Sequence, residues 1–239
     1  MKAAFSLTLL CGSLLLAACG QQEVHLDKTA QKASYALGYH SGVKLHQATP
    51  EVDVDAFLAG LRAGNAGKSQ LSDEEMTQSL ADFRARMIEE RRVAREKLAG
   101  QALAAAREFL KQNAAKPEVK QLAGGVQYTV EKSGRSNGQS PNLKQAVELV
   151  YSGSLLNGKV FDSSASHDKP AIYPLDSLMA GLQIALVKMH PGDKWKLFVP
   201  PELGFGDKGA GKLVGPNELL ILDVELKRVL PLTQKTASK

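Results

Sequence analysis

Polar and apolar positions change their period part-way along the chain. Up to about Lys116 the apolar residues recur every three to four positions, and beyond Val119 they recur every two. In the first part, Ala30, Ala33, Leu37 and Ser41 stand at helical spacing, with Asp27 placed to cap the helix they predict. Asp53 is placed to cap a second helix carrying Ala56, Phe57 and Leu61 and stopping at Gly64. Ser72 followed by Glu75 is a capping box. The run it opens has no proline until Pro117. As one helix of about 43 residues it would be roughly 65 Å long. Met76, Leu80, Phe83 and Met87 form a seam for packing on a partner. Ile88 to Lys97 has no wide apolar face; Asp82–Arg86, Arg86–Glu90 and Arg92–Glu96 pairs suit an exposed spacer. Two short helices make too thin a core to stand alone, so this half is expected to dimerise. Folding back onto the second half is the alternative.

In the second part Val126, Tyr128 and Val130 alternate, as do Val147, Leu149 and Tyr151. Asn157-Gly158, between Leu155-Leu156 and Val160-Phe161, signals a hairpin. Ser177 to Met189 reads as one short helix, followed by a turn at Pro191-Gly192-Asp193. Trp195, Leu197 and Val199 share one strand face. Leu220, Leu222, Val224 and Leu226 share another, opposite Ile221, Asp223 and Glu225. The expected class is α+β: an antiparallel sheet covered by one short helix, preceded by an all-α region with a long connecting helix.

The length of 239 residues, with 44% hydrophobic and 23% charged residues, allows one large or two modest globular domains and excludes a disordered or polytopic membrane chain. The net charge of +5 is spread among interspersed basic and acidic residues and gives no basis for a nucleic-acid partner. Lys2 followed by the uncharged stretch Ala3 to Ala18 reads as a secretory signal, too short for a membrane span. Leu16-Ala17-Ala18-Cys19 looks like a lipobox, with Cys19 the lipidated N-terminus after removal of residues 1–18. Cys11 leaves with that segment, so the mature chain has a single cysteine. An internal disulfide and a cysteine-built zinc site are then excluded. The expected divisions are 1–18 as signal, 19–116 as helical dimerisation region and spacer, and 117–239 as the sheet domain.

Some patterns match a motif only in letters. Gly204-Phe205-Gly206-Asp207-Lys208-Gly209 spells a dinucleotide fingerprint but follows Pro200-Pro201 and leads to Gly215-Pro216, with no helix to hold a pyrophosphate. Gly206 to Lys212 nearly spells a phosphate loop, but Leu213 stands where a hydroxyl must meet magnesium. His25, His40, His46, His167 and His190 lack metal-ligand spacing, and Ser163-Ser164 lacks a nucleophile-elbow context. No metal, cofactor or covalent catalyst is expected.

One constellation matches as a whole. Val147-Glu148-Leu149-Val150-Tyr151-Ser152-Gly153 and Leu155-Leu156-Asn157-Gly158-Lys159-Val160-Phe161-Asp162-Ser163-Ser164 resemble the FKBP-type peptidyl-prolyl isomerases. So do Met189-His190-Pro191-Gly192-Asp193-Lys194-Trp195, Val199-Pro200-Pro201-Glu202-Leu203-Gly204-Phe205-Gly206, and Gly215-Pro216-Asn217-Glu218-Leu219-Leu220 with Val224-Glu225-Leu226. Lys32-Ala33-Ser34-Tyr35-Ala36-Leu37-Gly38-Tyr39 and the long helix resemble the N-terminal half of the Mip and FkpA-like subgroup. The resemblance implies a curved sheet wrapped on one helix, a V-shaped homodimer through the N-terminal helices, and proline-containing polypeptide clients. A macrolide ligand is a further implied partner. Gly20 after Cys19 implies, by the same resemblance, sorting to the outer membrane of a Gram-negative cell, facing the periplasm or the surface, with acyl chains as anchor.

The reaction suits a site with no nucleophile. Amide resonance sets a barrier of about 18–20 kcal/mol to rotation about a peptide bond. The two X-Pro isomers differ by only about 0.5–1 kcal/mol. An apolar cup that takes the amide out of water lowers the barrier, and polar groups need only orient the chain. By resemblance Tyr151 donates to the bound chain, Phe161 and Tyr173 are aromatic walls, and Asp162 lies near the twisting carbonyl. Leu178 and Met179 meet the proline side, where a backbone N–H fixes a carbonyl. Phe205 sits in a flap over the site with Val214 beside it. The sequence departs from the family in four places: Leu182 where the floor is Trp, Phe205 where the flap has Tyr, Leu222 where a wall is Phe, and His167 where Arg pairs with the Asp. Two functions follow: an isomerase that assists folding of envelope or secreted proteins, or a dimeric binding module with a weakened pocket. Isomerisation by the sheet domain discriminates them.

Overall fold

Helix-forming sequence fills the first half of the chain, and its caps set the boundaries. The computed structural model describes residues 24–48, 52–134, 138–166 and 171–232. The signal segment, Cys19 and His167 lie outside the described residues. Helix α1 spans Thr29–Ala48, α2 Val54–Ala66 and α3 Asp73–Ala114. Asp27 does not open α1 as expected. The helix begins at Thr29, and Gln31 Oε1 accepts from Lys28 N–H at 2.9 Å, doing the capping from within the first turn. Asp53 does cap α2, its Oδ1 accepting from Ala56 N–H at 2.9 Å. α2 runs past Gly64 and ends at Gly67, whose φ of 63° closes the last turn with its N–H on Gly64 O. The capping box at the start of α3 is complete: Ser72 N–H donates to Glu75 Oε2 at 2.8 Å and Glu75 N–H to Ser72 Oγ at 3.2 Å. Those bonds hold the Glu75 carboxyl below its ordinary value. Among the described residues no helix is long and apolar enough to cross a membrane.

Contacts divide the chain into Met1–Ser79 and Leu80–Lys239. In the first unit α1 and α2 leave Leu37, Tyr39 and Leu61 exposed and border an apolar cavity of about 490 Å³ lined by residues such as Leu45, Phe57 and Leu58. In the second unit the strands are β1 Lys120–Gln121, β2 Gln127–Lys132, β3 Gln145–Leu155, β4 Val160–Ser163, β5 Ala171–Pro174, β6 Lys194–Val199 and β7 Leu220–Pro231. They form one antiparallel sheet in the order β1-β2-β6-β7-β3-β4, with β5 beside the first half of β3. The alternation read from the sequence decides which face is buried. Leu220, Leu222, Val224 and Leu226 of β7 and Trp195, Leu197 and Val199 of β6 all enter the core, while Lys196, Asp223 and Glu225 turn outward. The Asn157-Gly158 hairpin joins β3 to β4, with Gly158 N–H donating to Leu155 O at 2.9 Å.

The single helix expected over Ser177 to Met189 is two pieces. Leu175–Ser177 is a 3₁₀ turn and α4 spans Ala180–Leu186. Between them Leu178 and Met179 are extended, with ψ of 161° and 148°. Gln183 holds this break, its Nε2 donating to Leu178 O at 2.6 Å and to Asp176 O at 3.1 Å. At Gly181, a β-carbon would collide with Val199 Cγ1 and lie 3.2 Å from Leu203 O, so α4 rests on β6 as closely as backbone permits.

The long helix also differs from expectation. Ile88 to Glu96 is exposed, as a spacer requires, although Arg95 within it already reaches the carbonyls of Asp207 and Lys208. Past Lys97, however, Ala106 and Asn113 are buried and Phe109 packs on Phe198 of β6 with ring centroids 5.5 Å apart. Asn113 Nδ2 donates to Gln127 Oε1 at 2.9 Å, and Gln127 Nε2 donates to Leu110 O at 2.8 Å. Both side chains are nearly inaccessible, so each satisfies the other's amide. The last turns of α3 therefore cover the sheet face opposite α4, and the division expected at 116/117 falls after them. Asn113→Ala leaves the buried Gln127 carbonyl oxygen without its donor. It is expected to lower unfolding stability by about 1–3 kcal/mol in a denaturant titration.

Candidate active site

The site begins with a gap in strand pairing. On one edge β3 pairs with β5 from Ala146 to Leu149 and with β4 from Ser152 to Ser154. Tyr151 lies in the interval, where neither strand supplies its partners. Serine side chains do so instead. Tyr151 N–H donates to Ser164 Oγ at 3.0 Å, and Ser163 and Ser164 hydroxyls donate to Tyr151 O at 3.3 and 3.2 Å. The Ser163-Ser164 pair, which had no catalytic context in sequence, thus fixes the backbone from which Tyr151 projects.

Leu149, Tyr151 and Gly153, alternate residues of β3, line a hollow of about 250 Å³. β4 adds Phe161 and Asp162, β5 adds Tyr173, and the break before α4 adds Ser177, Leu178 and Met179. Leu182 of α4, Leu222 of β7 and Phe205 complete it. Nine of the ten pocket residues expected from the sequence are brought together here. Val214 is not. It is buried with 6% exposure and pairs with Ala210 across the loop after Phe205, so it braces that loop from the core. Cys19 lies outside the described residues. Leu149, Gly153 and Ser177 were missed. The first two were legible in the strand alternation that carries Tyr151.

Gly153 sets the fit of the aromatic wall. A β-carbon there would lie 2.5 Å from Phe161 Cζ and 3.1 Å from Leu222 Cδ2. The absent side chain is what lets Phe161 and Leu222 close together. Phe161 meets Phe205 edge-on, with centroids 6.0 Å apart and planes at 83°. The polar groups gather at one edge. Tyr151 Oη donates to Asp162 Oδ2 at 2.8 Å and lies 3.3 Å from Tyr173 Oη. Asp162 Oδ1 accepts from Ser163 N–H at 2.8 Å. Leu178 N–H is spent on Leu175 O at 3.3 Å. Met179, which also lines the hollow, is extended at the mouth of α4.

Burial, then the bonds to Tyr173 and Asp162, push the Tyr151 phenol well above the ordinary tyrosine range. The sign for stability follows. The contribution is whole below pH 10.0, the ordinary tyrosine value. Above it the unfolded chain ionises while folded Tyr151 keeps its proton, so stability falls. Tyr151→Phe is expected to remove that part of the alkaline loss in thermal melts between about pH 9 and 11.

Wall, floor, flap and a polar edge without a nucleophile are what the prolyl reaction needs, and comparison with known proteins decides the matter. Residues 137–227 match the profile of FKBP-type peptidyl-prolyl cis-trans isomerase, and residues 30–130 match that of the domain amino-terminal to it. The chain is 38% identical to "Peptidyl-prolyl cis-trans isomerase Mip" of Coxiella burnetii, over 89% of this chain and 92% of that one. The chain belongs to the FKBP-type peptidyl-prolyl cis-trans isomerases. It is 34% identical to FkpA of Escherichia coli, over 84% of this chain and 76% of that one. It is 31% identical to "Outer membrane protein MIP" of Legionella longbeachae, over 90% and 91%. The crystal structure of Escherichia coli FkpA superposes with a TM-score of 0.70 at 33% identity, covering 86% of this chain and 98% of that one. A Pseudomonas syringae isomerase structure superposes with a TM-score of 0.51 at 38% identity, covering 55% and 96%. This FKBP-type enzyme accelerates cis-trans isomerisation of X-Pro bonds. Its N-terminal helices place it with the Mip and FkpA subgroup.

Proposed function

We propose that isomerisation occurs in the hollow of about 250 Å³ on β3, with the prolyl ring on Leu182 between Phe161 and Phe205. The Met179 N–H donates to a carbonyl of the bound chain, and Tyr151 swings part of its donation from Asp162 to that chain. Asp162 stands where the twisting amide leaves solvent. The observation that carries this reading is the convergence of Tyr151, Asp162 and Tyr173 at one edge of an otherwise apolar cup. Leu182 and Leu222 replace larger aromatics and leave the cup roomier, which suits varied clients over one tightly held ligand. An exchange measurement on a short X-Pro peptide tests it: acceleration at micromolar protein is expected, and an intact protein without acceleration overturns it. The same pocket is the site for a macrolide, and competition in that assay reads its binding.

We further propose a homodimer through α1 and α2, anchored by lipid at Cys19 in the outer membrane of a Gram-negative cell, and acting on unfolded envelope proteins. The apolar cavity between α1 and α2, with Leu37 at 72% and Leu61 at 63% exposure, supports the dimer, because such surface is costly in water. Leu37→Asp with Leu61→Asp is expected to give a monomer in sedimentation velocity with isomerase activity on short peptides unchanged. A mass-spectrometric search for acyl chains on Cys19 of membrane-extracted protein tests the anchor.

A further inference from the structure

We propose that Arg95 of α3 is a positioning residue for the isomerase pocket, holding in place the flap that carries Phe205. This rests on the reading of the hollow as the reaction site. Arg95 Nη2 donates to Asp207 O at 3.0 Å and to Lys208 O at 2.8 Å. Both carbonyls belong to the 3₁₀ turn Gly206–Lys208, which begins at the residue after Phe205. The other end of the flap is fastened to the same helix face. Asn217, at a φ of 56°, donates its N–H to Gly206 O at 2.8 Å and its Nδ2 to Ala99 O at 3.4 Å. Arg95 and Ala99 are one helical turn apart and so point the same way.

The flap has reason to need such ties. Gly204, Gly206, Gly209, Gly211 and Gly215 lie within it, each adding conformational freedom that must be removed to hold Phe205 against Phe161. Within the flap the Ala210–Val214 bridge closes only the tip. A guanidinium is charged at every working pH, and its bond to a carbonyl is stronger than a neutral one. α3 thereby serves as the fixed post against which the glycine-rich segment is stretched, and Phe205 inherits its placement from a helix that contributes no atom to the hollow's lining.

The test uses the full chain and a short X-Pro peptide. Arg95→Ala is expected to lower kcat/KM by about 3- to 10-fold, mainly through KM, with melting unchanged. Arg95→Lys, which keeps the charge and one donor, is expected to recover about half of that loss on a logarithmic scale. Asn217→Gly, which keeps the positive φ and removes the bond to Ala99, is expected to cost less than Arg95→Ala. In a double-mutant cycle, Arg95→Ala added to Phe205→Leu is expected to cost less than about twofold, because the helix acts through that ring. Amide exchange at Val214 and Asn217 is expected to quicken in Arg95→Ala while the β6 and β7 amides hold. Wild-type kinetics and exchange in Arg95→Ala, or a fully additive loss in the cycle, overturn the proposal while the pocket reading stands. Loss of activity in Phe161→Ala together with an inert Phe205→Leu also overturns it, since the flap ring is then outside the reaction. An inactive wild-type chain sinks the pocket reading itself.

Discussion

Phe161→Ala is expected to lower kcat/KM on an X-Pro peptide by about 10- to 100-fold, equivalent to about 1.4–2.7 kcal/mol of transition-state stabilisation. The ring is half of the aromatic pair that walls the hollow, and Phe205 loses its edge-on partner with it. Removing it opens the cup to water on the side where the twisted amide must stay dry, so the effect is expected in kcat as well as KM. Phe161 is half-buried on the short strand β4, so the melting temperature should move far less than for a core deletion of the same size. A variant within twofold of the parent would place the reaction elsewhere.

The second large effect is expected at Gly181. Gly181→Ala puts a methyl group against Val199 Cγ1 and at 3.2 Å from the Leu203 carbonyl oxygen, and the latter is backbone that cannot rotate away. α4 has to lift from β6. Overpacking of this kind costs about 1–3 kcal/mol, readable as a shifted midpoint in a denaturant titration. Because Leu182 is the next residue and floors the hollow, the lift also displaces the floor. Activity should therefore fall more than the fraction unfolded accounts for. Gly181→Ala with unchanged midpoint and rate would mean that the helix tolerates a greater separation than its packing indicates.

The sheet was legible because its period is two and its buried faces are filled by Val and Leu. Leu220 through Leu226 and Trp195 through Val199 needed no tertiary information to assign. Nine pocket residues were legible through family resemblance, since Phe161 or Leu178 taken alone reads as ordinary core. The helical end of the story was not. The stripe that seats α3 on the sheet runs through Ala106, Phe109 and Asn113, of which only Phe109 carries a strong hydrophobic signal. A buried asparagine makes sense only when Gln127 is seen opposite it. The break at Leu178 and Met179 was hidden for a similar reason. Both residues are good helix formers, and it is the Gln183 amide, reaching back from the next turn, that holds them extended. Val214 was assigned to the pocket from its place in the flap, whereas its side chain faces the core.

The seat of α3 on β6 has a consequence for biosynthesis. A ribosome releases Phe109 long before Phe198, the ring it packs on, has been polymerised. Gln127 emerges soon enough to engage Asn113, yet β2 has only the two-residue β1 beside it until β6 arrives. The nascent helix must therefore wait with its docking stripe unsheltered while most of the remaining chain is made.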